Sequence, residues 1–134
     1  MNIEIRYYTK SGHTQKLAKA IAEELNITAK TIDKPLEKDV DILFLGSSIY
    51  GNSIDPAITK FFNNINVNIG LIVNFSTAGS IESTYEQVKE LAQLYNIPIS
   101  SKEFHCPGEF VGMNKGRPNN NDIENIKKFT HNFI

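Results

Sequence analysis

With 134 residues, 40% of them hydrophobic and 22% charged, the chain is long enough for a single domain over 1–134 and needs neither disulfide nor metal to hold its core. A net charge of −1, without any Lys/Arg run, excludes an electrostatic nucleic-acid binder. A single cysteine excludes an internal disulfide, a cysteine metal cluster and a Cys-x-x-Cys redox pair. The opening residues lack the basic-then-apolar pattern of a secretion signal, and no apolar run reaches membrane-spanning length. A cytoplasmic protein with no membrane partner is therefore expected, and the glycosylation-like triplets Asn26-Ile27-Thr28 and Asn74-Phe75-Ser76 read as chance.

The chain opens on an alternating, β-rich run, Ile3-Glu4-Ile5-Arg6-Tyr7-Tyr8, followed by a hydroxyl-dense turn, Thr9-Lys10-Ser11-Gly12-His13-Thr14. Leu17, Ala18, Ile21, Ala22 and Leu25 then recur at helical spacing, and Asn26 ends that helix. Residues 28–32 form a short β-prone segment, followed by a polar connection around Pro35 that is too short for a well-formed helix. The run Val40-Asp41-Ile42-Leu43-Phe44-Leu45-Gly46 has the near-continuous apolarity of a strand buried on both faces. A second helix opens with Asp55 as N-cap and Pro56 behind it, and Ile58, Phe61 and Phe62 supply its apolar face. Residues 68–75 repeat the buried-strand pattern. Residues 81–95 read as a third helix, with Tyr85, Val88, Leu91, Ala92 and Tyr95 on its apolar stripe. A last strand over 98–106 leads into a loop rich in Gly, Asn and Pro from 107 to 121. The final helix begins near 119–122 and carries Ile123, Ile126, Lys127, Phe129 and Phe133.

The string βαββαβαβα predicts an α/β protein, a doubly wound, five-stranded parallel sheet covered by helices on both faces. Ligands of such sheets sit beyond the carboxyl ends of the strands, where strand order reverses. Three loops rich in Ser, Thr, Gly and Asn should converge there: 9–14, 47–53 and 76–80. The first feeds a helix N-terminus, whose unpaired N–H groups and positive dipole end bind phosphate without a cationic side chain. Thr9, Ser11 and Thr14 can donate to the same anion, and Gly12 permits close approach or positive φ. Plain capping by Ser11 or Thr14 is the alternative; the convergence of three such loops favours a phosphorylated cofactor. The spacing matches neither a Walker A loop nor G-x-G-x-x-G. A phospho-acceptor receiver domain is rejected too, because the third strand ends in Gly46-Ser47 where that domain needs aspartate.

On these residues the chain resembles the flavodoxin family over its whole length. Residues 9–14 are similar to the family's phosphate loop, T-x-[ST]-G-x-T. Gly46-Ser47-Ser48-Ile49-Tyr50-Gly51-Asn52 resembles the loop packed against the isoalloxazine ring, and Ser76-Thr77-Ala78-Gly79 the loop closing over the flavin's other side. The resemblance implies a strand order of 2-1-3-4-5 and a bound FMN whose phosphate takes backbone N–H groups and hydroxyls from Thr9, Ser11 and Thr14. It implies that Tyr50 lies against the ring, where stacking and low dielectric disfavour the negative charge of fully reduced flavin. It also implies that the Gly51 carbonyl turns toward flavin N5 once N5 is protonated, a flip of the Gly51-Asn52 peptide that separates two-electron chemistry into one-electron steps. The function implied is a low-potential, non-catalytic electron carrier. It would shuttle single electrons as a monomer between redox partner proteins such as a reductase or oxidoreductase, with the chemistry residing in the cofactor.

Several positions depart from the family pattern. His13 stands where many flavodoxins carry asparagine, and both a phosphate contact and a solvated first-turn histidine fit it. Ser48 replaces a frequent proline, which predicts a more mobile loop. The loop after the fourth strand lacks an aromatic to cover the outer flavin face, and Tyr85 belongs on the helix as a core residue. That face is then exposed or covered by Phe110 or Met113 from the 107–121 loop, itself a docking loop or a flexible excursion with Lys115 and Arg117 solvated. The near-neutral charge speaks against docking through an acidic ring.

Cys106 beside His105 suggests a thiolate–imidazole pair, but neighbours on a strand face opposite sides, and a buried structural cysteine is expected. The histidines show no metal-ligand spacing. Asp39 and Asp41 merely flank a strand. Two other functions compete. One is a small flavodoxin-fold oxidoreductase such as a quinone-linked protoporphyrinogen oxidase-like enzyme, which residues 46–51 resemble. The other is a cofactor-free interaction module, against which the hydroxyls of Thr9, Ser11 and Thr14 speak.

Overall fold

In the computed structural model, which describes residues 1–50, 53–79, 83–109 and 114–134, the opening alternation forms strand β1 (Ile3–Tyr7) and the periodic stretch behind it helix α1 (His13–Leu25). There follow β2 (Ala29–Thr31), β3 (Ile42–Tyr50), β4 (Ser53–Ile54), α2 (Pro56–Asn63), β5 (Ile72–Ala78), α3 (Tyr85–Leu94), β6 (Phe104–Pro107) and α4 (Asn120–Thr130), closed by a 3-10 turn, His131–Phe133. The parallel strands run in the order β2-β1-β3-β5-β6. That is the expected 2-1-3-4-5 path, with its numbering shifted by one short strand. Residues 53–54, the first of them expected to end a loop, fold back antiparallel on β3 and pair Ile54 with Ile49.

Local chemistry explains most element ends. Asn26 takes the left-handed conformation (φ 54°) that closes α1, and its N–H donates back to the Ala22 and Glu23 carbonyls. Asp55 caps α2 by accepting from the Ala57 N–H, with Pro56 at the first helical position. Asn119 and Asp122 form a reciprocal capping box on α4.

Two boundaries move for a tertiary reason. The third strand was expected to stop at Gly46, yet β3 runs on to Tyr50, because Ser47, Ser48 and Ile49 stand opposite Ser76, Thr77 and Ala78 in the β5 ladder. A polar residue in a sheet centre still satisfies its backbone through the ladder. Ser47, Ser48, Ile49, Ser76, Thr77 and Ala78 are therefore buried strand residues and not loop residues. The last strand is also shorter than expected, with only an isolated bridge at Ile99 ahead of β6.

The sheet separates two cores. Ile5, Tyr7, Phe44 and Phe75 pack with Leu17, Ile21 and Ile126 under α1 and α4. Leu43, Leu45 and Ile72 pack with Ile58, Phe62 and Val88 under α2 and α3. On that second side the 32–41 connection carries no helix, and a strap of turns and irregular chain takes its place. Arg6, only 2% exposed, holds this strap in place. Its guanidinium donates to the carbonyls of Lys34 at 2.8 Å and Pro35 at 3.2 Å, and to the Glu4 carboxylate at 2.8 Å. Leu36 and Val40 pin the strap from its apolar side.

Candidate functional site

Gly12 is the N-cap of α1 at φ 89°, a conformation that favours glycine, and no side chain caps the helix. The first intrahelical bond runs from the Lys16 N–H to the Gly12 carbonyl at 3.3 Å. The N–H groups of His13, Thr14 and Gln15 thus point out of the helix start without an intrahelical acceptor. No acidic side chain occupies the first turn to neutralise the positive dipole end. Such a helix start has the free N–H groups to receive an anion, and it is not the capping arrangement that Ser11 or Thr14 could have made.

The three hydroxyls grouped by the sequence have separate tasks. Thr9 Oγ1 accepts from the Gly12 N–H at 2.9 Å, which shapes the turn and leaves the Thr9 hydroxyl proton free to donate. Ser11 is exposed, and its Oγ lies 2.9 Å from His13 Nδ1. Thr14 is fully buried; its Oγ1 lies 2.8 Å from Thr77 Oγ1 and donates to the Ser47 carbonyl at 3.4 Å. The Thr14 side chain therefore ties α1 to β3 and β5, and what it offers an anion is its backbone N–H. Lys10 sits on the rim and pairs with Asp55 at 3.4 Å. The Asp55 carboxyl is held below its ordinary value, first by the Ala57 N–H and further by Lys10 and Tyr8.

Beneath this helix start lies a floor of small side chains. Gly46 lets α1 approach, since a Cβ there would press into the Phe75 ring and lie 3.0 Å from Thr14 Cγ2. Ser48 stands in register with Thr77, on the face that meets Thr14. Its Oγ is buried and has no hydrogen-bond partner among the described residues. An orphaned buried hydroxyl costs free energy unless a ligand or water uses it.

The other side of the sheet holds a polar network that the sequence reading missed. Thr84 Oγ1 receives Ser47 Oγ at 2.9 Å and Asn74 Nδ2 at 3.0 Å, and the Thr84 N–H donates to Ser76 Oγ at 3.3 Å. These four side chains are fully buried and fix where α3 starts. Asn74, a lone amide inside the run Leu71-Ile72-Val73-Asn74-Phe75, was the available signal.

The end of β5 meets the late loop. The Gly108 N–H donates to the Ala78 carbonyl at 2.8 Å, and Asn114 Nδ2 donates to the Gly79 carbonyl at 2.9 Å. The Glu109 N–H donates to the Arg117 carbonyl at 2.9 Å, and Glu109 Oε1 accepts from the Gly116 N–H at 2.7 Å. These bonds tie the two flanks of the loop to β5 and to each other. Arg117 is not simply solvated: it forks onto Asp122 at 2.6 and 2.7 Å. Gly108 also leaves room for His13, because a Cβ on it would lie 3.1 Å from His13 Nδ1.

Tyr85 is half-buried at the first position of α3, with the Lys89 ammonium 5.9 Å from its ring centroid. The positions expected to face a ring system, Gly51 and Asn52, lie outside the described residues, as do the Tyr50 side chain, Phe110 and Met113. Burial pushes the Cys106 thiol up to about 12, with Asp122 adding to the shift, so this cysteine is a packing residue and no nucleophile. Among the described residues no cluster of His, Cys, Asp or Glu could hold a metal, and no helix is long and apolar enough to cross a membrane.

Known proteins share this architecture. The profile of a family described as Flavodoxin domain matches residues 4–104. An uncharacterized protein of Methanocaldococcus jannaschii is 32% identical over 141 residues, covering 91% of this chain and 90% of that protein. A flavodoxin from the domain Archaea has a similar solved structure, with a TM-score of 0.79 at 14% identity over 98% of this chain and 95% of that one. Oxidised Flavodoxin 1 from Bacillus cereus follows with a TM-score of 0.75 at 17% identity over 99% and 97%. At such identities the structural likeness shows the fold alone.

Proposed function

From the premise that the chain belongs to the flavodoxin family, we propose that it binds FMN at the α1 cradle and carries single electrons between redox partner proteins. The observation that carries this reading is the uncapped start of α1 behind a left-handed Gly12, with the unpartnered Ser48 hydroxyl below it. Those donors fit a phosphate monoester. The backbone N–H groups of His13 and Thr14 and the hydroxyls of Thr9 and Ser11 would hold the phosphate. With residues 47–49 and 76–78 buried in the sheet, the chain just beyond them, residues 50–52 and Gly79, would bracket the ring, with Tyr50 against one face and the Gly51-Asn52 peptide facing N5. Bound flavin supplies the electron chemistry; the chain orients it and excludes water. A monomer in the cytoplasm, meeting a reductase or oxidoreductase, is the setting we propose.

The test is to add FMN to purified protein and titrate with dithionite while recording the visible spectrum. Bound flavin that passes through a long-wavelength, half-reduced form is the expected result. Binding with direct two-electron reduction would replace the carrier by the oxidoreductase reading. Failure to bind FMN would overturn the proposal and leave the cofactor-free module.

A further inference from the structure

We infer that His13 is a proton-taking partner of the bound phosphate: docking of FMN draws a proton onto its imidazole, so the cofactor is held more tightly as the medium turns mildly acidic. The inference rests on the FMN reading above and adds a pH dependence that the fold does not require.

The geometry is local and specific. His13 is the first residue of α1, so its backbone N–H is part of the anion cradle while its half-buried ring hangs beside it. Ser11 Oγ lies 2.9 Å from Nδ1, and Gly108 stands close enough that a Cβ on it would come within 3.1 Å of the same nitrogen. Nε2 has no partner among the described residues. Protonation changes the direction of the Ser11 bond. A neutral ring that accepts at Nδ1 takes the Ser11 hydroxyl proton. An imidazolium donates at both nitrogens, so Ser11 must accept from the ring and is left to donate its own proton outward, to the anion. One proton thus adds a positive charge and frees a hydroxyl donor.

In the absence of phosphate the surroundings oppose that proton. Burial of the ring and the charge of Lys16 lower the His13 pKa, and only Glu109, from the segment after β6, pulls it up. The positive end of the α1 dipole acts in the same direction as Lys16. A dianion in the cradle reverses the balance, because an opposite charge within a few ångströms favours the charged form. The sign follows from linkage. A group with a lowered pKa in the free protein and a raised one in the complex takes up a proton on binding, so affinity rises as pH falls between the two values.

The test compares FMN affinity, read by quenching of flavin fluorescence, for the natural protein and His13→Gln at about pH 8.5 and about pH 6.5. Both values lie above the second ionisation of a phosphate monoester, at about 6, and the variant shares whatever phosphate titration remains. Between the two pH values the natural protein is expected to gain about threefold in affinity over the variant. In parallel, the His13 imidazole is followed by NMR in the natural protein, with and without FMN. Its midpoint should rise by about one unit on binding. Parallel affinity curves with an unmoved His13 midpoint overturn the inference and leave FMN binding standing. Absence of FMN binding by either protein at either pH overturns the function it rests on.

Discussion

Gly46 decides how closely α1 lies on the sheet. It stands opposite Tyr7 in the β1 ladder, and an added methyl would meet the Phe75 ring and the Thr14 side chain. Gly46→Ala is expected to destabilise the protein by about 1–3 kcal/mol, the usual cost of overpacking a filled interior. Urea unfolding monitored by circular dichroism reads the change, and a variant as stable as the parent would show that α1 can shift without cost. The sequence marked Gly46 as the last residue of an apolar run and the first of a ring-facing loop, and not as a packing contact. Its contacts come from α1 and β5, which local spacing does not reveal. The same holds for Thr14. A hydroxyl at the first turn of a helix looks like a cap or an anion donor, and only the position of Thr77 makes it a bond between helix and sheet.

At the scale of elements, the start of α4 and the loop before it act as one piece. Burial alone would push the Asp122 carboxyl up, but the Arg117 fork and the Asn119 N–H outweigh it and hold the carboxyl below its ordinary value. A carboxyl depressed in the folded state stabilises that state above its unfolded value, about 3.9, and the contribution is lost as pH falls through the folded value. Acid unfolding of the parent below about pH 4 is therefore expected to include the release of this tie. Asp122→Asn should be less stable than the parent at neutral pH and should converge with it in acid. Thermal melts across that range read the difference, and a constant gap would reject the assignment. The cap of this helix was legible, because Asn and Asp near the start of an apolar periodicity are local signals. The partner Arg117 was not, since a charge in a glycine-rich loop looks solvated until the loop is seen to fold back.

For the whole molecule, the order β2-β1-β3-β5-β6 brings the C-terminal ends of β1, β3 and β5 together at the reversal point, where α1 starts. The missing helix between β2 and β3 is offset by the Arg6-bound strap, so the sheet is covered unequally on its two sides. A ligand that binds only the folded form stabilises all of it by mass action. FMN at about a hundred times its dissociation constant should add about 2.7 kcal/mol and raise the melting midpoint. A midpoint indifferent to FMN would count against the proposed cofactor.

The alternation of apolar residues, their helical spacing, the Asp55-Pro56 cap and the glycine-containing first turn are short-range patterns. They determined most element types and the parallel doubly wound class, and they placed the uncapped start of α1 behind Gly12. The reach of β3 and β5 into Ser47–Ser48 and Ser76–Thr77 was decided by pairing between strands, which satisfies a polar backbone as well as an apolar one. The division of labour among the hydroxyls was likewise tertiary. Each carries the same donor and acceptors wherever it stands in the sequence, and its partner is whichever group the folded chain brings within hydrogen-bonding distance.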